Sequence, residues 1–518
     1  MVVIYHNCFR IESVASEIVD LPHLEGLPVL RGISELATLV SNSTLVVWCD
    51  VNYAHQLNLS AIEKFSLSNT SIYSFNPNHQ DFFNRVMGYV DLSVAIKISP
   101  NKKYATWLMS SKVGVATLEF LKFGLSIVPQ NSDFDYFLKS ISKLTQSKGV
   151  FCYSEPSLLN HNFVEDYNFS IDDVKKTVRF TKQHFKIGWL FILFYSFFIH
   201  EKNYSFFSAF LSLFYKRRMF NGKIDKVELK TATQIDVRDA CLDVLIPTIG
   251  REQYLYDVLC DLRNQTVLPQ KVIIIEQNPE LNSVSTLDYL TTENWPFKIA
   301  HTFTNQTGAC NARNIGLTAI SSDWIFFADD DIRFASNFIE AALQKMIALN
   351  CYAASFSCVS KLKTIDSNIN PYQWGGFGAG SSIVHRSSIK DCLFGKGYEF
   401  GYGEDGDFGI QIRSNGVDVL FFEQPQLLHL KAPIGGFRTK PIVAWMNESI
   451  TPKPSPTVML FRIRNCTVEQ NKTYKLKLFL SYYRHQAIKN PLAYYKMFQK
   501  QWTVSLKWAN ELKKINEL

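Results

Sequence analysis

Short apolar runs alternate with amphipathic stretches along most of the chain. Val2–Tyr5, Thr44–Cys49, Ser71–Phe75 and Leu92–Lys97 have the length and composition of buried strands, with helical patterns between them. Thr117 to Phe123 has helical spacing, and Gly124 is expected to end that helix before a strand at Leu125–Pro129. Strands alternating with helices predict a parallel sheet. Residues 1–160 therefore read as an N-terminal α/β domain with a scaffolding or acceptor-binding role. It carries no G-x-G-x-x-G and no P-loop; Gly114, in Gly-Val-Ala-Thr-Leu, is a candidate helix N-terminus able to hold an anion.

Residues 161–238 read as a helical, aromatic-rich connector. Ile187–Ile199 is an apolar run of 13 residues, short of the ~20 needed to span a bilayer. A second aromatic segment, Tyr204 to Tyr215, ends in Lys216-Arg217-Arg218. Two readings stand: a helical hairpin lying in a membrane interface with its basic end at anionic headgroups, or two amphipathic helices packed between domains. The bulky aromatics favour the membrane.

Between 239 and 445 the pattern is clearer. Leu242–Pro247 is a strand, Tyr254–Leu262 a helix, Lys271–Glu276 and Phe297–Phe303 strands, Gly308–Ile320 a helix and Trp324–Ala328 a strand. The β-α-β-β-α-β order predicts a doubly wound nucleotide-binding half. Residues 446–518 begin with a Pro/Ser/Thr-rich loop, then turn helical from Tyr474 with a break at Pro491. Lys472 to Lys514 holds ten Lys/Arg and one acid, Glu511. Tyr482, Tyr483, Tyr494, Tyr495, Phe498, Trp502 and Trp508 interleave with them. A membrane surface is the first reading of this segment, ordinary packing of the aromatics the second, and nucleic acid a distant third.

Composition changes the picture little. At 518 residues the prior is two to four domains, at ~100–200 residues each. A net charge of +7 is mild for this length and makes no case for nucleic acid. The ten cysteines include no C-x-x-C pair, which suggests neither a zinc site nor a disulfide framework and fits a reducing cytosol. The first residues lack the pattern of a signal peptide, so the expected place is the cytoplasm, peripheral to the inner face of the cell membrane.

Candidate chemistry gathers after the strand Trp324–Ala328, where Asp329, Asp330 and Asp331 follow in succession. Three carboxylates at a strand's carboxyl end suit Mg2+ or Mn2+ shared with a phosphate, because hard cations take oxygen ligands and ligands bind at that end of a parallel sheet. A solvated acidic turn is the alternative. Gly403-Glu-Asp-Gly-Asp407 is a second acid cluster, either catalytic or simply the acidic opening of a helix. His429 sits between leucines, as a metal ligand or a core residue. Trp374-Gly375-Gly376-Phe-Gly-Ala-Gly380 joins glycines to aromatic faces, which fits sugar stacking or a bulged loop.

Taken in order, these motifs resemble the inverting glycosyltransferases of family 2, which have the GT-A fold. Val244-Leu-Ile-Pro-Thr-Ile-Gly-Arg251 is similar to the opening strand and P-T-x-x-R turn. The resemblance implies that Pro247, Thr248 and Arg251 meet the donor nucleoside. Glu276 stands where the family usually has an Asp that reads base or ribose. Gly308-Ala-Cys-Asn-Ala-Arg-Asn-Ile-Gly316 resembles G-x-x-x-A-R-N-x-G, implying that Arg313 and Asn314 line the nucleotide pocket. A Gly-led helix start there is also a plausible diphosphate contact. By the same resemblance Asp329 or Asp330 touches ribose or base, and Asp331 and His429 bind the metal. Asp405 is implied as the base that deprotonates the acceptor, with Glu404 second and Asp407 capping or orienting the helix that follows. Arg438, in Gly435-Gly-Phe-Arg, would wrap the diphosphate, and Trp374, Gly375 and Gly376 would meet the sugar.

The expectation is an α/β protein: a GT-A-type domain preceded by a smaller α/β domain, with an aromatic-rich helical linker and C-terminal helices. It would be a transferase using Mn2+ or Mg2+, a UDP- or dTDP-sugar donor, and a surface glycan or lipid-linked acceptor. The alternatives are a nucleotide-sugar-binding scaffold whose catalysis has lapsed, or a nucleotidyltransferase. Pro247-Thr-Ile-Gly-Arg251 is a poor match to the signature loop of the latter.

Overall fold

The structure is a computed structural model. It describes all residues except 18, 66–67, 78–81, 94–96, 131–132, 161–170, 203–205, 225–236, 238, 366–368, 434–441 and 517–518. The chain divides into two compact units, Met1–Glu228 with Val468–Thr473, and Leu229–Thr467 with Tyr474–Leu518.

The first unit holds β1 (Val2–His6), β2 (Ile11–Ser16), α1 (Val29–Leu39), β3 (Leu45–Asp50), α2 (Leu59–Ile62), β4 (Ser71–Phe75), β5 (Tyr104–Ala105), β6 (Val113–Thr117), α3 (Leu118–Ile127), α4 (Phe134–Thr145) and β7 (Phe151–Ser154). It continues through α5 (Ile171–His184), α6 (Ile187–His200) and α7 (Phe206–Ser212). Its seven strands run in the order β2-β1-β3-β6-β4-β7-β5. The sheet is mixed, not parallel: β1 and β3, and β4 and β7, pair in parallel, and β6 lies antiparallel between the two pairs.

Two glycines depart from expectation for one reason. Gly114 lies inside β6, where an added Cβ would stand 2.3 Å from the Trp48 ring, so it is a close-packing position and no helix start. The helix begins at Thr117, whose hydroxyl accepts from the Phe120 amide. Gly124 does not end that helix either. It sits on the buried face against Phe137 and Ile141, and α3 runs on to Ile127 where a strand was expected. Of the expected strand Leu92–Lys97, residues 94–96 lie outside the described residues, and Leu92 and Ser93 are not in a strand.

The second unit holds β8 (Leu242–Thr248), α8 (Glu252–Arg263), β9 (Lys271–Gln277), α9 (Tyr289–Thr292), β10 (Lys298–Thr304), α10 (Ala309–Thr318), β11 (Trp324–Ala328), β12 (Ile332–Arg333) and α11 (Phe338–Ala348). There follow β13 (Ala353–Val359), β14 (Tyr372–Gln373), β15 (Ser381–His385), α12 (Glu404–Ser414), β16 (Leu420–His429), α13 (Pro456–Asn465), α14 (Val468–Tyr482) and α15 (Pro491–Asn516). The sheet runs β10-β9-β8-β11-β15-β13-β16-β12, with β14 on β16. β10, β9, β8 and β11 are parallel, and β15 turns antiparallel to β11. The chain winds outward from β8 through β9 to β10, then returns to the other side of β8 as β11. That reversal is the switch point at which doubly wound sheets place their ligands.

The aromatics of the two helical regions go to different places. In α15, Tyr494 and Phe498 are each 1% exposed and join the core of the second unit with Trp502. Packing, the second of the sequence readings, accounts for these three rings, whereas Tyr495 on the same helix is exposed. In α6 and α7 one face is buried through Leu190, Leu193 and Phe197, whereas Phe191, Phe198, Phe207, Phe210, Leu213 and Phe214 are exposed.

Candidate active site

β8 and β11 end side by side because Trp324–Phe327 pair in register with Leu242–Leu245. The chain beyond each strand then meets the other. Thr248 Oγ1 donates to Asp330 Oδ2 at 2.7 Å, and an Arg251 guanidinium nitrogen donates to Asp330 Oδ1 at 2.5 Å. The same guanidinium lies 3.5 Å from Asp331 Oδ2. Burial pushes the Asp330 carboxyl up to about 6, against the pull of Arg251 and Thr248. Asp331 is pinned from another side: its Oδ2 accepts from the Ala432 amide at 2.9 Å, and its carbonyl accepts from the Leu430 amide. The β12–β16 ladder sets Ile332 opposite His429, and this brings His429 Nε2 to 3.4 Å from Asp331 Oδ1.

Asp329 faces the other way. Its carboxylate lies over Gly380, where a Cβ would come within 2.0 Å, so a larger residue there would displace that carboxylate. Arg313, on α10, reaches Asp329 Oδ1 at 3.3 Å and Asp405 Oδ1 at 4.0 Å. Burial opposes its charge, but Asp405, Asp329 and Glu404 together hold its pKa above the ordinary value. Asp405 is the second residue of α12, which follows Gly403, whose φ of 120° is one that residues other than glycine rarely adopt. Its Oδ1 has no hydrogen-bond partner among the described residues, though 40% of its side chain is open to solvent. Burial, and then Asp329, raise its pKa. Burial and the neighbouring Asp405 push Glu404 up to about 7.

Several expected site residues have partners within the protein. Asn314 holds the backbone of Phe394 with both ends of its amide, at 2.8 Å each. Glu276 accepts from Ser285 at 2.5 Å and lies 2.8 Å from His301 Nε2. The N-terminus of α10 is not an open diphosphate cradle. The Glu399 carboxylate takes the amides of Cys310 and Asn311 at 3.2 and 2.6 Å, and a Cβ on Gly308 would strike it. Asp407 caps nothing. It is buried and held by Tyr398 Oη at 3.0 Å, Asn465 Nδ2 at 2.7 Å, Gln411 Nε2 at 3.0 Å and Arg464 at 3.4 Å, so it ties α12 to α13. The carbonyls of Trp374 and Gly376 are gripped by Arg413, which locks the glycine loop to α12, and the Trp374 indole packs on Phe421. Gly375 is exposed, and Pro247 is the penultimate residue of β8. Arg438 lies outside the described residues.

The arrangement can hold a divalent cation. Asp331 and His429 supply one carboxylate and one imidazole 3.4 Å apart, a donor pair suited to Mn2+ or Mg2+ whose other ligands are water and phosphate oxygens. Among the described residues no group of three His, Cys, Asp or Glu stands ready to cage a metal alone.

A doubly wound sheet with acids and arginines at its switch point, extended by an antiparallel half, is a GT-A-type architecture. Residues 243–397 match the family described as glycosyl transferase family 2, and the protein is a glycosyltransferase with a domain of that family. No curated protein matches the chain. Among solved structures it is similar to S. aureus TarS, at 14% identity and a TM-score of 0.31, over 45% of this chain and 42% of that one. TarS 1–349 in complex with UDP-GlcNAc is similar at 14% identity and a TM-score of 0.35, over 53% of this chain and 81% of that one. GalNAc-T7 with UDP, GalNAc and Mn2+ follows at 13% identity and a TM-score of 0.30, over 37% and 44%. Likeness at that level adds no weight to the family match.

Proposed function

We propose that the chain is a metal-dependent inverting glycosyltransferase that moves a sugar from UDP or dTDP to a growing surface glycan or its lipid-linked precursor. The observation that supports it best is the Arg313 guanidinium between Asp329 and Asp405. It joins the acids that end β11 to the acids that open α12, around a single centre.

In this reading Pro247, Thr248, Arg251, Asp329 and Asp330 hold the nucleoside and diphosphate, with Arg313 behind them and Arg438 closing over the phosphates. Glu276 and Asn314, with partners of their own, would act by shaping that pocket. Trp374, Gly375 and Gly376 offer the sugar a face and close backbone approach. Asp331 and His429 would hold Mn2+ or Mg2+, which when bound offsets the charge on the leaving diphosphate. Asp405 takes the proton of the acceptor hydroxyl as that oxygen attacks the anomeric carbon opposite the diphosphate. Its Oδ1, which accepts no hydrogen bond among the described residues, and its raised pKa suit a base. Among the described residues no helix is long and apolar enough to cross a membrane; the exposed face of α6 and α7 suits contact with a membrane surface, which would bring the enzyme to a lipid-linked acceptor on its inner side.

The test is turnover by Asp405→Asn. Loss of a positioned base should lower kcat by about 10²–10⁴ while donor binding and melting temperature hold. A scaffold whose catalysis has lapsed would show no donor turnover to lose, even with Mn2+ and a panel of UDP- and dTDP-sugars. The pH profile offers a second check. The base works deprotonated and burial raises the Asp405 pKa, so kcat/KM should climb with pH along a limb above the ordinary carboxylate range. Glu404→Gln removes a neighbouring negative charge, so that limb should move to lower pH. A limb that stays in place separates Glu404 from the base.

A further inference from the structure

In the first unit, two arginines stand together with no carboxylate partner among the described residues. The Arg179 Cζ lies 5.0 Å from the Tyr136 ring centroid, and the Arg218 Cζ lies 5.7 Å from the same ring. Arg179 also approaches Tyr215 at 5.7 Å. Both arginines are half-buried, and among the described residues neither pairs with a carboxylate. The nearby acid, Asp133, is already committed: its Oδ2 is 3.1 Å from Lys176, and its Oδ1 caps α4 through the Tyr136 amide at 2.7 Å. The Arg179 Nε and the His184 Nδ1 are buried and lack hydrogen-bond partners. Arg218 donates to Ser140 Oγ at 3.0 Å, and that hydroxyl lies 2.7 Å from His184 Nε2. Burial, then the charges of Arg218 and Lys143, keep His184 neutral.

Two guanidinium groups side by side, partly desolvated and without a carboxylate among the described residues, are unfavourable by themselves. Guanidinium forks match phosphate oxygens in geometry, which suits the pair to an anion. What borders the site narrows the class. Arg218 follows directly on the exposed Leu213 and Phe214, and α5, which carries Arg179, packs against both α6 and α7. On those two helices Ile187, Phe191, Phe198, Phe207 and Phe210 are exposed, and Lys216 and Arg217 stand exposed beyond them. A cationic seat at the edge of an apolar aromatic face fits a molecule that is anionic at one end and apolar at the other.

We propose that Arg179 and Arg218 form a seat for the phosphate headgroup of a membrane lipid, with the exposed residues of α6 and α7 in the acyl boundary beside it. This rests on the membrane contact of the proposed function and adds a headgroup preference to it. Ser140 and Tyr215 shape the seat. Lys216 and Arg217 add attraction to an anionic surface without distinguishing its headgroups.

Sedimentation of the full chain with vesicles tests it. The vesicles are phosphatidylcholine alone, or phosphatidylcholine with phosphatidic acid or phosphatidylglycerol, the last two matched in surface charge. The protein should bind phosphatidic acid vesicles roughly tenfold more tightly than charge-matched phosphatidylglycerol vesicles. Arg179→Gln with Arg218→Gln should abolish that difference, leave a weaker general binding to anionic vesicles, and keep donor turnover unchanged. If the pair misfolds, Arg179→Lys keeps the charge but not the fork and should still cut the preference several-fold. A preference that survives these changes, or binding with no preference in the unaltered protein, overturns the seat and leaves the membrane reading standing. Binding to no vesicle overturns both. Thermal stabilisation by inorganic phosphate that needs both arginines, without any vesicle preference, assigns the seat to free phosphate and overturns the lipid.

Discussion

Two regions of this chain carry a similar compositional signal, helices rich in aromatics with basic residues among or just beyond them, and the fold disposes of them in opposite ways. In α15 the buried positions Tyr494, Phe498, Trp502 and Ala509 recur at helical spacing, with Ser505 completing the stripe. Lys496, Lys500 and Lys507 fall on other faces, exposed. One stripe can pack while the opposite face stays wet. In α6 no such division exists. Apolar side chains point in every direction, so packing Leu190, Leu193 and Phe197 inward forces Phe191 and Phe198 outward, Phe191 to 68% exposure. Composition shows that there is apolar surface to hide. Periodicity shows whether one neighbour can hide it.

The largest effect should come from breaking the buried stripe. Phe498→Ala empties a core position that is 1% exposed and touches Phe479 and Tyr494. It should cost about 3–5 kcal/mol of stability, read as a lower urea midpoint for the second unit. Removing residues 474–518 should therefore unfold that unit, not merely weaken membrane pelleting. A truncated chain that folds and loses only its pelleting would return the tail to the membrane. Next comes the mirror experiment. Phe210→Ser with Phe214→Ser removes exposed rings, so stability should stay within about 0.5 kcal/mol, whereas vesicle binding should drop strongly. A stability loss of the size expected for Phe498→Ala would mean that this face is covered.

The contrast extends to what could be read before the structure. The order of strands around β8, β9 and β11 was legible because runs such as Val272–Ile275 are apolar throughout and too short for helices. The meeting of Thr248 and Arg251 with Asp330 follows from that winding. The occupant of the α10 N-terminus was not legible. Glu399 comes from 88 residues beyond Asn311, and nothing local marks it. The sequence leaves Asp407 as either capping or orienting its helix; its partners Arg464 and Asn465, which no local pattern marks, come from α13 and leave only the second. Gly114 and Gly124 misled in the same manner. A glycine that makes room for a Trp or Phe ring looks, in a single sequence, like one that makes a turn.

The smallest effect is the most discriminating, because it separates charge from apolar surface. Near an anionic bilayer each Lys or Arg contributes about 1 kcal/mol, roughly a fivefold change in binding. Lys216→Gln with Arg217→Gln should thus weaken binding to anionic vesicles measurably, and added salt should reproduce the loss in the unaltered protein. Lys496→Gln with Lys500→Gln removes two exposed charges from a helix whose Tyr494, Phe498 and Trp502 rings face inward. With only Leu492 and Tyr495 exposed beside them, against the run of exposed rings on α6 and α7, that pair should change binding by less than twofold. An equal loss from both pairs would mean that the protein's overall charge, not the exposed face of α6 and α7, governs its attraction to lipid. The two helical regions would then differ in packing alone.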